Sequence, residues 1–158
     1  MSILDESVLN LIVLPNDIDV SKISNDRYIA LMDLGRMDIV FRSGLLKLML
    51  KNKWGPVVTF DTIRFRYPLK VFQRYQLKTR IVWWDDRTFY WKQTFERKGR
   101  VVATGYVCGG PFGSDGQVPP QEILDQIGRL VTKPSQPAIA AKLRELEDLI
   151  HETQKEKV

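Results

Sequence analysis

From Pro56 onward the residues alternate apolar and polar with a period of two, which limits this part of the chain to an antiparallel sheet with one buried face. In "VVTFDTIRFRYP", Ile63, Phe65 and Tyr67 alternate with Arg64 and Arg66. In "RYQLKTRIVWWDD", Tyr75, Leu77, Thr79, Ile81 and Trp83 alternate with Arg74, Gln76, Lys78 and Arg80. "RTFYWKQTFERKG" sets Phe89, Trp91, Gln93 and Phe95 against Tyr90, Lys92, Thr94 and Glu96. "RVVATGYVCG" completes four strands. Asp85-Asp86 and Lys98-Gly99 read as tight hairpin turns, so the four strands are expected to form a meander.

The polar face of these strands carries the charge. The chain has a net charge of +5, and between Phe60 and Tyr106 eleven Lys and Arg stand against four Asp and Glu. Such a face suits an anionic partner, although a solvated sheet face is the simpler reading.

Upstream, "VLNLIVLP" is a short apolar strand stopped by Pro15. A polar loop follows, and Ser24 or Asn25 can cap a helix whose first turn holds Asp26. The helix is expected from about Asp26 to Arg42. Ile29, Met32, Ile39 and Val40 mark one face and Tyr28, Leu31 and Leu34 another, so it reads as buried on most sides. Gly44 stops it, and "LLKLMLKNKW" is a short second helix. The glycine-rich "GGPFGSDGQVPP" lacks the spacing and the Lys-Ser/Thr of a nucleotide loop. "QEILDQIGRLV" is helical and "TKPSQP" is a linker. A terminal helix then carries Ile139, Leu143, Leu146 and Ile150 as a narrow apolar stripe. The expected organisation is one α+β domain over 1–131, a linker over 132–137 and a helix over 138–158.

Single residues narrow the chemistry. With one cysteine, Cys108, and one histidine, His151, the chain cannot build a disulfide framework, and a Ser-His-Asp, Cys-His or zinc site in the fold's centre is disfavoured. Catalysis would fall to carboxylates, hydroxyls, amides or the backbone, with no cofactor. Cys108 is expected to be a buried strand residue and His151 to be solvent-exposed. No apolar run is long enough for a membrane span, and "MSILDESVLNLIVLP" lacks the features of a signal peptide. A cytoplasmic location is the expectation.

The loop and helix together, "LPNDIDVSKISNDRYIALMDLGRMD", resemble the start of the acyl-CoA thioesterases of the 4-hydroxybenzoyl-CoA thioesterase type. The matching residues are Asp17, Asp19, Asn25 and Tyr28, then Asp33, Gly35 and Arg36. The strands match more loosely, including the corner Tyr67-Pro68-Leu69, and the resemblance spans about residues 8–128. Lys22 stands where the family often has histidine, and the loop is one residue shorter. The resemblance implies the hotdog fold, an antiparallel sheet wrapped around one long central helix, here with additional C-terminal helices. It also implies an obligate homodimer, with each site built between two subunits, and acyl-CoA thioester hydrolysis.

The residues allow that chemistry. A carboxylate beside a helix N-terminus can act as base or nucleophile, and the free N–H groups of the first turn can polarise a carbonyl oxygen. Asp19 is the closest match to the family's catalytic carboxylate, with Asp17 the alternative. The turn at Asn25, Asp26 and Arg27 offers the oxyanion site. Asp17 and Asp19 also fit a second role as turn-forming acids. Tyr28 and Met32 suit core or acyl-tunnel lining. Arg64 and Arg66, with Lys70 and Arg74, are candidates by charge for the CoA phosphates. Two other readings remain: a non-catalytic hotdog module that binds acyl-CoA or a partner, and a nucleic-acid-binding sheet using Trp84 and Tyr90 among the basic residues.

Overall fold

The alternation builds the strands it predicts, but they pair in a different order. The computed structural model describes residues 1–155, so the expected end of the last helix at 156–158 lies outside the described residues. Strand β1 (Ser7–Ile12) precedes α1 (Asn25–Arg42), α2 (Leu45–Asn52) and β2 (Gly55–Phe65). Then come β3 (Arg74–Trp84), β4 (Phe89–Arg97), β5 (Arg100–Gly113), the short β6 (Gly116–Gln117), α3 (Pro120–Ile127) and α4 (Ala138–Lys155). The sheet is antiparallel throughout, in the order β1-β3-β4-β5-β2, with β6 on β5. Strands β3, β4 and β5 are a meander, but β2 does not join it at β3 as expected. It lies at the far edge, on β5, and β1 takes the place beside β3. The reason lies in the connection after β2. Residues 66–73 are too many for a tight hairpin and hold Pro68. They pass the start of α1 instead, where the Ile23 N–H donates to the Leu69 carbonyl at 2.8 Å.

The two turns differ. Lys98 and Gly99 both have positive φ, 51° and 73°, as a two-residue hairpin turn requires. The other turn is longer, spanning Asp85 to Thr88. Its first residue closes it: the buried Asp85 carboxylate accepts from the Arg87 and Thr88 N–H groups at 2.8 Å and from the Tyr90 hydroxyl at 3.0 Å. The pairing slips by one residue between Ile81 and Trp83. That bulge turns Trp84 inward to the main core and Trp83 outward, the reverse of the uninterrupted alternation. Trp84 and Tyr90 are 2% and 1% exposed, so the stacking platform that a nucleic-acid reading needs is not on the surface.

Helix α1 lies against the inner face of the curled sheet, in the hotdog arrangement. Its buried residues are Tyr28, Leu31, Met32, Gly35, Arg36, Ile39 and Val40. Full burial of an aliphatic side chain such as Met32 or Ile39 contributes about 1.5–3 kcal/mol. The expectation of burial on most sides is corrected by Ile29, Leu34 and Phe41, which are 45%, 49% and 60% exposed. One face of the helix meets the sheet, and nothing among the described residues covers the other.

The seat of α1 is unusually close at Gly35. A Cβ there would fall well inside contact distance of Thr79 Oγ1 and 2.9 Å from Gln93 Nε2. On the outer face, α4 buries Ala140 and Leu143 against Trp83, Tyr90 and Cys108. Ile139, Leu146 and Ile150 of the expected stripe stay partly exposed. Burial pushes the Cys108 thiol up to about 12, with Glu147 and Asp85 adding to the effect, so it is an inert core residue.

Gly35→Ala tests the seat. In a free helix the change would stabilise by about 1 kcal/mol. Here overpacking against Thr79 and Gln93 should reverse the sign, for a net loss of about 1–3 kcal/mol. Denaturant unfolding checks this, and a gain in stability would show that the approach is not tight.

Candidate active site

Two groups of polar residues flank α1, one at its N-terminus and one along its buried face. At the N-terminus, Pro15–Asp17 form one 3-10 turn. The Asp17 side chain is buried, and its carboxylate holds the loop from both sides. It accepts from the Leu14 N–H at 2.9 Å and pairs with the Arg27 guanidinium, Nε at 2.9 Å and Nη2 at 2.8 Å. The Asp17 carbonyl accepts from the Ser24 N–H at 3.0 Å. The loop is thereby tied to the first turn of the helix it precedes. The Tyr75 hydroxyl is buried on the same side with no hydrogen-bond partner among the described residues, and burial with the Asp17 charge raises its pKa.

Between these ties the chain bulges out as a turn at Asp19. The Asp19 N–H donates to the Lys22 carbonyl at 3.0 Å, and its carboxylate accepts from the Val20 N–H. That backbone contact, with help from the Ser21 and Lys22 amides and the Lys22 charge, holds the Asp19 carboxyl below the ordinary carboxylate value. Asp19 is exposed and ionised, whereas Asp17 is buried and engaged. Ser24 is the N-cap residue, but its side chain makes no cap hydrogen bond. Asn25 and Asp26 are exposed on the first turn. The Ser24 hydroxyl, foremost, and nearby amides hold the Asp26 carboxyl below its ordinary value.

Tyr28 and Met32 point into the core. Tyr28 packs edge-on against Phe65 and Phe95 at 5.1 and 5.0 Å, and burial pushes its phenol up to about 12. Met32 is wholly buried over Gly105. Arg64 and Arg66 are exposed at the end of β2 and beyond, and neither forms an ion pair with the described residues. The Arg66 guanidinium lies 5.2 Å from the centre of the Tyr67 ring.

The second group is buried under the middle of α1. Thr79 and Gln93 face each other across β3 and β4, and both are fully buried. Gln93 Nε2 donates to the Met32 carbonyl at 2.8 Å and to Thr79 Oγ1 at 2.9 Å, while its oxygen accepts from Arg36 Nη1. Arg36 also pairs with Asp33, one turn earlier on the helix. Asp61, on the inner face of β2 opposite Val107, completes the group. Burial raises the Asp61 carboxyl, with Arg36 opposing and Asp33 adding. A cavity of about 260 Å³ opens beside Asp33 and Arg36. Its other walls are apolar and include Val40, Met49, Val57, Phe89 and Trp91.

The structure thus unites Asp17, Arg27 and the helix start and leaves Asp19 exposed beside them, while Arg64 and Arg66 flank Phe65, which packs on Tyr28 in the first turns of α1. Sequence reasoning missed Asp61 and the role of Gln93. The available signal was polar residues falling in the apolar phase of their strands.

Residues 13–143 match the family model of the thioesterase-like superfamily. Protein THEM6 of Xenopus laevis is 35% identical over 94 residues, 59% of this chain and 45% of that protein. A probable thioesterase of Saccharomyces cerevisiae, YBR096W, is 30% identical over 114 residues, 66% of this chain and 47% of that protein. The chain therefore spans about half the length of the curated relatives it matches. Among solved structures, BH1999 gentisyl-coenzyme A thioesterase shares the fold with a TM-score of 0.65 at 20% identity, over 77% of this chain and 98% of its own. No helix among the described residues is long and apolar enough to cross a membrane.

Asp17→Asn keeps an acceptor for Leu14 but removes the charge that holds Arg27. We expect a loss of about 1–3 kcal/mol, below the figure for a fully buried pair because Arg27 meets water on one side. Comparing unfolding midpoints checks it, and an unchanged midpoint would remove the loop lock from the account.

Proposed function

The chain belongs to the thioesterase-like superfamily, and on that premise we propose that it hydrolyses acyl-CoA thioesters, with Asp19 as base or nucleophile. The observation that carries this reading is the division of labour between two acids one residue apart. Asp17 is engaged with Arg27 and Leu14, which fixes the loop on the helix start and leaves Asp19 ionised and accessible. The N–H groups of the first turn of α1 would polarise the thioester oxygen. Attack by water, or by the carboxylate through an anhydride, expels the CoA thiolate and releases the acid. The cavity beside Asp33 and Arg36 lies about two to three turns along α1 from the helix start, so within one subunit it would receive the far end of a long acyl chain.

A homodimer fits the same reading. Strand β2 is a long edge strand with Val57, Val58 and Phe65 about two-fifths exposed. Unprotected edges of this kind invite another strand, and the uncovered face of α1 adds apolar area beside it. Arg64 and Arg66 would meet the CoA phosphates at the rim.

Asp61 gives a second reading of the base. It is half-buried beside Arg36 and close to the cavity, and its raised carboxyl suits proton transfer. The pH dependence separates the two. A base must be ionised, so with Asp19 the acid limb of the rate profile lies below the ordinary value of 3.8, and with Asp61 it lies above it. In a thiol-release assay we expect Asp19→Asn to lower kcat by about 100-fold or more, the scale of general-base catalysis, with Asp61→Asn nearly unaffected. The reverse pattern would move the chemistry into the inner groove.

A further inference from the structure

On the outer face of the sheet, Arg80 of β3 stands directly opposite Lys92 of β4, and Lys92 directly opposite Tyr106 of β5. Like charges placed across from each other destabilise an antiparallel pair. Nearby on the same face the charge is compensated: Lys78 Nζ lies 2.8 Å from the Glu96 carboxylate. Neither Arg80 nor Lys92 forms an ion pair with the described residues. On one side, Glu6 and Glu96 border a small cleft that these two cations share with Lys78.

On the other side lies a pocket of about 410 Å³ with no carboxylate among its described lining residues. Arg80, Lys92 and Tyr106 line it, and Leu4, Pro134 and Ile139 supply apolar surface. The segment that forms its outer wall is held in place. Lys133 Nζ sits 4.9 Å from the centre of the Trp83 ring, and Ala140 and Leu143 are buried just beyond. Pro134 and Pro137 restrict the backbone between those anchors. Two cations without an ion-pair partner among the described residues, a phenol and an apolar wall form a site with the size and composition of a ligand pocket.

We propose that this pocket binds a small amphiphilic anion, its carboxylate or phosphate head on Arg80 and Lys92 and its apolar body against Leu4, Pro134 and Ile139. The site is on the opposite face of the sheet from α1 and does not depend on the hydrolytic reading. A guanidinium and an ammonium side by side give strong charge-assisted hydrogen bonds to either head group.

Calorimetric titration of the full chain with octanoate, octyl phosphate, inorganic phosphate and octanol tests this. Saturable binding of octanoate or octyl phosphate is expected, at least tenfold tighter than octanol. The preferred head group distinguishes a free acid from a phosphorylated ligand, and inorganic phosphate measures the head alone. The double variant Arg80→Gln/Lys92→Gln should lose at least tenfold in affinity. Its unfolding midpoint should be at or above the parent's, because the repulsion is gone. No saturable binding by the parent, equal binding by the double variant, or a lowered midpoint would overturn the proposal. Equal binding by the double variant would also show that the ligand had entered another cavity, such as the one beside Arg36.

Discussion

The close seat of α1 on the sheet governs the rest of the molecule. At Gly35 the helix comes near enough for Gln93, a polar side chain in an apolar layer, to reach the Met32 carbonyl and Arg36, while Thr79 accepts from Gln93 alongside. Each of these groups would be costly if buried alone, and together they satisfy one another. The cluster fixes the height of the helix and its position along the strands in a way that apolar contacts, which are not directional, do not. It also brings Arg36 inside, where Asp33 and Asp61 flank it.

With the helix fixed there, its N-terminus becomes a fixed point for the loop. The Asp17–Arg27 pair and the Ser24 N–H to Asp17 carbonyl bond tie the loop down on either side of the Asp19 turn. The loop presents a carboxylate on a short turn with anchored ends, which suits a group that must meet a reacting carbonyl. Further along α1, the flank that carries Asp33, Arg36 and Val40 meets a largely apolar cavity.

Much of this was legible in sequence. The limits of α1, the strand segments and the Lys98-Gly99 turn follow from period, caps and turn chemistry, whereas α3 ends at Ile127, short of the Val131 that its sequence pattern suggested. Strand order did not, because alternation says which residues share a face and nothing about which edges meet. Only the eight residues of 66–73, too many for a hairpin, hinted that β2 would not pair with β3. The Trp83–Trp84 inversion rests on a bulge at Val82, which shifts the phase by one with no glycine or proline to mark it. At the candidate site, Asp17 and Asp19 looked interchangeable. What divides them is Arg27, ten residues away and within reach only once the loop folds back on the helix. Asp61 and Gln93 were visible as polar residues out of phase, but their meaning depends on Arg36, which the fold brings to them.

The central claim is that this chain turns over a thioester and does not merely bind one. The most direct measurement is free-thiol release by the unaltered chain from a panel of short, long and aromatic acyl-CoAs, with binding heat recorded in parallel. The account predicts many turnovers per molecule on at least one member of the panel, with equal amounts of CoA thiol and free acid. Saturable binding without thiol release would contradict it and make the chain an acyl-CoA-binding module on the same fold.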